Sequence, residues 1–143
     1  KLNLFLIRKA GMDKEVTSDI LSKIKQEGYK VIDLFHIHIN NNAKFYKNFY
    51  KNFDDFEQEI LKENSNQCLI IVTDLPEGKD PQKFKNEIRE QCVEIYPNEG
   101  GFPGNLIHAS DSPEVCAKEL LMLLDKNKTN FKNIGTYYEA RDI

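Results

Sequence analysis

At 143 residues the chain suits one domain, and folding would bury about 70% of its unfolded surface, so a core can close without disulfides or a metal. Basic residues number 20 against 23 acidic ones, and the formal charge of -3 gives no electrostatic case for a nucleic-acid partner. Hydrophobic content of 40% with 30% charged residues excludes a disordered chain, and no apolar run nears the ~20 residues of a membrane span, so no membrane partner is expected.

The opening segment KLNLFLIR sets Leu2, Leu4 and Leu6 on one face and Phe5 and Ile7 on the other, the pattern of a strand buried on both sides. Asp13 can cap a helix in which Val16, Ile20 and Ile24 recur at spacing four, and Gly28 stands where a left-handed C-cap belongs. The run YKVIDLFHIHI, residues 29–39, predicts a second strand with Phe35, Ile37 and Ile39 on one face. His36 and His38 share its other face; with no third ligand nearby, a half-exposed strand face is a better reading than a metal pair. KFYKNFYKNF repeats every four residues and stacks Phe45, Phe49 and Phe53 beside Tyr46 and Tyr50, a helical stripe that reads as core. A further short helix holds Phe56, Ile60 and Leu61.

CLIIVTDL, from Cys68, is a continuous apolar strand. Asp80-Pro81 places an N-cap before proline at the first helical position, opening a helix with Phe84, Ile88 and Cys92 aligned. YPNEGGFPG reads as a loop, too irregular to cradle a phosphate. NLIHA is a short strand, and Ser112-Pro113-Glu114 repeats the cap-then-proline signature before a helix burying Ala117, Leu120, Leu121 and Leu124. A polar tail over 126–143 follows, with Tyr137 and Tyr138 as packing anchors. Cys68, Cys92 and Cys116 are odd in number and far apart, which reads as reduced thiols in an intracellular, cytoplasmic protein. The order of elements predicts an α+β ferredoxin-like sandwich, an antiparallel four-stranded sheet covered by helices, in a single domain over 1–143. The start at Lys1 suggests a piece of a longer protein.

Alone, His108 at the end of an apolar run reads first as a satisfied core histidine. Its surroundings change that. In NLIHASDSPEVCAKEL, Asn105 precedes it, Ser110, Asp111 and Ser112 follow it, and Glu119 stands eleven positions on. This stretch resembles the active-site signature of the nucleoside diphosphate kinases, which runs Asn, two apolar residues, His, a small residue, Ser-Asp-Ser, then Glu at that distance. The segment Ile7 to Ile32 is similar to the family's first strand and helix without gaps, keeping Ile7, Gly11, Ile20 and Gly28.

The resemblance implies the same ferredoxin-like sandwich and a ping-pong phosphotransfer. His108 would take a phosphoryl group from ATP or another nucleoside triphosphate and pass it to a nucleoside diphosphate, with Mg²⁺ carried by the nucleotide. An imidazole suits this because one ring nitrogen attacks while the other is held in place by a hydrogen bond. By resemblance Glu119 orients His108, Ser110 supports that carboxylate, and Asn105 contacts the nucleotide. Arg8 stands where the family has a phosphate-binding Lys, with Lys9 beside it; Phe53 is the candidate base stacker and Arg89 the candidate helix Arg. No metal ligand set of the protein's own is implied.

The departures are specific. The family's first strand ends Ile-Lys-Pro-Asp, whereas this one ends Ile7-Arg8-Lys9-Ala10. The loop before Asn105 is about a dozen residues shorter than the usual enzyme's by counting, and lacks the family's phosphate-binding Thr and Arg. Since phosphoryl transfer depends on positioning and charge stabilisation, losing two cationic contacts is expected to cost several powers of ten in rate. That loop also supports trimers in the family, so a homodimer, or contact with neighbouring domains, is the expected assembly. An alternative stays open: a catalytically degenerate module serving as a scaffold or nucleotide-sensing domain in a larger protein, for example a ciliary or cytoskeletal one.

Overall fold

The computed structural model describes residues 1–8, 14–38, 67–95 and 107–127. Along the chain run β1 (Leu2–Arg8), α1 (Lys14–Gln26), β2 (Val31–His38), β3 (Gln67–Asp74), α2 (Pro81–Ile95), β4 (Ile107–Ala109) and α3 (Pro113–Asn127). The expected helices over 45–61, the loop before Asn105, the end of the tail and the Asp13 cap lie outside the described residues.

Leucine, isoleucine and phenylalanine on both faces of β1 suit only the middle of a sheet, and that is where it lies. The strand order is β2-β3-β1-β4, with every neighbouring pair antiparallel. β1 runs opposite β3 from Leu2↔Asp74 to Arg8↔Cys68, and its other edge takes the short β4 through Phe5↔Ala109 and Ile7↔Ile107. β1 and β2 are parallel in space with β3 between them, the split arrangement expected of a ferredoxin-like sandwich.

Period-two alternation then divides the sheet. Phe5, Ile7, Ile71, Ile107 and Ala109 face α1 and α2, where Val16, Ile20, Ile24, Phe84, Ile88 and Cys92 complete one buried core. Tyr29 packs within it, its ring centroid 5.3 Å from that of Phe5 and 5.6 Å from that of Phe84. Leu4, Leu6, Ile70 and Val72 point to the other face and are fully buried. α3 packs against β1, burying Cys116, Ala117, Leu120 and Leu123.

Local chemistry sets the helix ends. Asp80 Oδ1 accepts from the backbone N–H groups of Gln82 (3.1 Å) and Lys83 (3.2 Å), satisfying donors that the first turn of α2 leaves open. Gly28, at φ +105°, ends α1: its N–H bonds Lys25 O at 3.1 Å and Tyr29 N–H bonds Ile24 O at 3.3 Å, the paired bonds of a Schellman cap.

Two expectations are corrected. Tyr29 and Lys30 do not begin β2; Tyr29 closes the helix cap and turns its ring into the core, because burying it beside Ile24 outweighs two more residues of edge strand. Leu121 is only half-buried, Leu123 is buried as well, and the Leu124 side chain lies outside the described residues. Leucines at 120, 121, 123 and 124 leave the inward face of α3 undefined by hydrophobicity, so its rotation against β1 chooses. Cys68, Cys92 and Cys116 are buried and form no disulfide, as expected of reduced thiols. Among the described residues no helix is long and apolar enough to cross a membrane.

Candidate active site

β4 has only three residues, and their alternation decides where His108 points. Ile107 and Ala109 are buried against α1 and α2, so His108, opposite Leu6 on β1, projects from the other face. The ladder continues for one more bond, from Ser110 N–H to Leu4 O at 3.1 Å. The chain then turns at Asp111 into the cap of α3. Ser112 Oγ accepts from Val115 N–H at 3.1 Å, and Ser112 O from Cys116 N–H at 2.9 Å, with Pro113 at the first helical position where no N–H is needed. Two turns further along, α3 brings Glu119 back over β4.

Glu119 Oε2 lies 2.6 Å from His108 Nε2, and the two side chains are only 10% and 16% exposed. A carboxylate only accepts, so Nε2 is the donor and carries the ring proton. The in-plane lone pair of a neutral ring is then on Nδ1, the nitrogen with nucleophilic character. Positive charge developing on the ring during attack falls next to a carboxylate already in place. This is the geometry of a nucleophile oriented by a base.

Ser110, the residue expected to support that carboxylate, is buried. Ser110 Oγ and Glu119 Oε1 are both buried without a hydrogen-bond partner. Cys116 lies against the same groups. Burial pushes its thiol up to about 12, with the Ser110 hydroxyl acting in the opposite sense and the Glu119 charge adding to the rise. Its sulfur therefore stays protonated at neutral pH and is no competing nucleophile.

Of the other sequence-derived site residues, Arg8 ends β1 opposite Cys68, with its side chain outside the described residues. Lys9, Phe53 and Asn105 are outside them too. Arg89 directs its guanidinium to Ile107 O, from Nε at 3.0 Å and Nη2 at 2.6 Å. Gln82, which sequence reading missed, donates from Nε2 to Ala109 O at 2.7 Å. Only their spacing of seven, which puts them on one face of α2, links the two in sequence, and nothing there says that this face meets β4. Among the described residues no group of three His, Cys, Asp or Glu side chains could hold a metal ion. His36 is exposed on β2.

No protein-family model matches the sequence, and neither does any curated protein. Solved structures do match. The nucleoside diphosphate kinase of Aquifex aeolicus is 25% identical, with a TM-score of 0.61 over 94% of this chain and 96% of that one. The fold is that of the nucleoside diphosphate kinases. The enzyme of Halobacterium salinarum, in a structure with CDP, is 14% identical, with a TM-score of 0.60 over 96% of this chain and 97% of that one. That of Encephalitozoon cuniculi is 16% identical, with a TM-score of 0.60 over 96% and 99%. The resemblance first seen around His108 thus extends to the architecture, as that of a divergent chain similar to nucleoside diphosphate kinases from end to end. At such identities the side chains themselves must carry the functional reading.

Proposed function

We propose that this nucleoside diphosphate kinase-like chain is a phosphotransferase acting on nucleoside di- and triphosphates, with His108 as the residue that becomes phosphorylated. The observation that carries the reading is the His108–Glu119 hydrogen bond of 2.6 Å, made within that fold at the residues of the family signature. His108 Nδ1 attacks the γ-phosphorus of a Mg²⁺-bound nucleoside triphosphate, such as ATP. The N–P bond forms as the bond from phosphorus to the β,γ-bridging oxygen breaks, and the diphosphate leaves with that electron pair. The proton on Nε2 stays in its bond to Glu119, whose charge offsets that of the phosphorylated ring. In the second half, a terminal oxygen of another nucleoside diphosphate attacks the same phosphorus and Nδ1 leaves, restoring the neutral ring. Asn105, Arg8, Lys9 and Phe53 supply the nucleotide contacts, and one domain over 1–143 contains the site.

Turnover is slower than in an enzyme with the full set of phosphate-binding cations, since Ile7-Arg8-Lys9-Ala10 replaces the Lys-Pro-Asp ending. The same substitution favours the second reading, a scaffold or nucleotide-sensing module. One experiment separates the two: intact mass and acid-labile phosphate after incubation with Mg²⁺-ATP, for the parent and His108→Ala. Acid-labile phosphate in the parent and none in the variant is expected. Absence of phosphate from the parent at high protein and nucleotide concentrations overturns the phosphotransferase reading in favour of the second.

A further inference from the structure

β4 is an edge strand of the described sheet, and its hydrogen-bonding register is defined by a single ladder bond beyond its end. Ser110 N–H donates to Leu4 O, so Leu4 and Ser110 form a hydrogen-bonded pair, and Leu6 with His108, two residues on, forms the next. Ile107 and Ala109 sit in the alternate register. Their carbonyls therefore point away from β1, along the outer edge where a further strand would bind. These are the two carbonyls that α2 takes. Arg89 donates twice to Ile107 O, and Gln82 donates to Ala109 O. The residue between them is His108.

We infer that Gln82 and Arg89 are positioning residues for His108, two brackets from α2 that hold the backbone on either side of it so that its ring meets Glu119. A three-residue strand held by one neighbour alone could twist or shift along its ladder, and every such movement turns the His108 ring. Bonds at both flanking carbonyls remove that freedom, and those from Arg89 are charge-assisted and forked. The pairing also gives Arg89 a different task from binding phosphate. Two of its donors, on Nε and Nη2, meet main chain at Ile107 O, and through that bond its effect on transfer passes through His108.

For its rate measurement the inference rests on the phosphohistidine reading; for its geometry it does not, and two readouts keep the failures apart. The first is single-turnover formation of acid-labile phosphoenzyme from Mg²⁺-ATP, with the dissociation constant of Mg²⁺-ADP measured alongside, for the parent, Gln82→Leu, Arg89→Met and Arg89→Lys. Displacing a nucleophile by ~1 Å costs on the order of a hundredfold, so a ~10–100-fold fall in rate is expected for Arg89→Met and Gln82→Leu, with the dissociation constant within about threefold of the parent's. Arg89→Lys, which keeps one charged donor and supplies a conservative variant for folding, recovers part of the rate. The second readout is the ring resonances of His108 in ¹⁵N-histidine-labelled protein without nucleotide. A downfield proton on Nε2, bonded to Glu119, is expected in the parent and broadened or lost in Arg89→Met. A parent that forms no phosphoenzyme defeats the phosphotransferase reading, and the resonances then decide the positioning role alone. Unchanged resonances in both Arg89→Met and Gln82→Leu overturn the inference, as does a loss confined to nucleotide affinity, which would make Arg89 a phosphate ligand.

Discussion

Replacing Glu119 by Gln tests the charge at the centre of the candidate site while keeping its shape. Glutamine retains an oxygen able to accept the bond that Glu119 Oε2 now accepts from His108 Nε2 at 2.6 Å, so the ring need not turn. What disappears is the negative charge facing a ring that becomes positive as Nδ1 attacks. Unit charges about 4 Å apart interact by about 4 kcal/mol at an effective dielectric of about 20, and a ring carrying roughly half a charge in the transition state would feel about 2 kcal/mol. Little solvent screening applies, because the side chains are 10% and 16% exposed. At 1.36 kcal/mol per decade, the loss is ~30-fold in the rate of phosphoenzyme formation. Rapid-quench measurement with saturating Mg²⁺-ATP reads that rate directly, and the nucleotide dissociation constant should stay close to that of the parent. A rate within about twofold of the parent's would refute the assigned electrostatic role, leaving Glu119 as a buried packing residue.

Three further outcomes concern stability. Gly28→Ala should cost about 1–2 kcal/mol in denaturant unfolding, because φ of +105° strains any Cβ-bearing residue, while the added Cβ would meet Lys79 Cε at an ordinary 3.5 Å; an unchanged midpoint would contradict the Schellman cap. Tyr29→Phe should be neutral or stabilising by about 1 kcal/mol, since it deletes a buried hydroxyl without a partner and keeps the rings of Phe5 and Phe84 packed; a loss of more than that would reveal a bond to the hydroxyl. Burial pushes Cys116 from 9.0 to about 12 and Tyr29 from 10.0 to about 12, so the folded chain keeps protons that the unfolded chain releases. Stability should therefore fall as pH rises from about 9 to about 12 and be insensitive to these groups below that window, with Tyr29→Phe flattening the part above pH 10. Chemical denaturation across that range measures it, and a rise in stability would reverse the assignment.

Much of the architecture is written locally. Apolar residues on both faces of residues 2–7 can only be satisfied in the middle of a sheet, and Asp80-Pro81 and Ser112-Pro113 carry their own helix starts, because a cap is a bond between neighbours in sequence. The pairing of His108 with Glu119 was legible through the resemblance, and the structure makes it because α3 begins at a fixed point and Glu119 follows two turns later. Other features depend on how distant segments meet. Leucines surround α3 too evenly to name its inward side, and Tyr29 reads as strand until the core offers its ring a place beside Phe5 and Phe84. Arg89 resembles a surface cation and Gln82 a neutral helix residue until α2 lies along β4 and two outward carbonyls become their acceptors. Short-range bonds are encoded where they are made; which side chain meets an edge carbonyl is decided only when the helix and the strand are packed together.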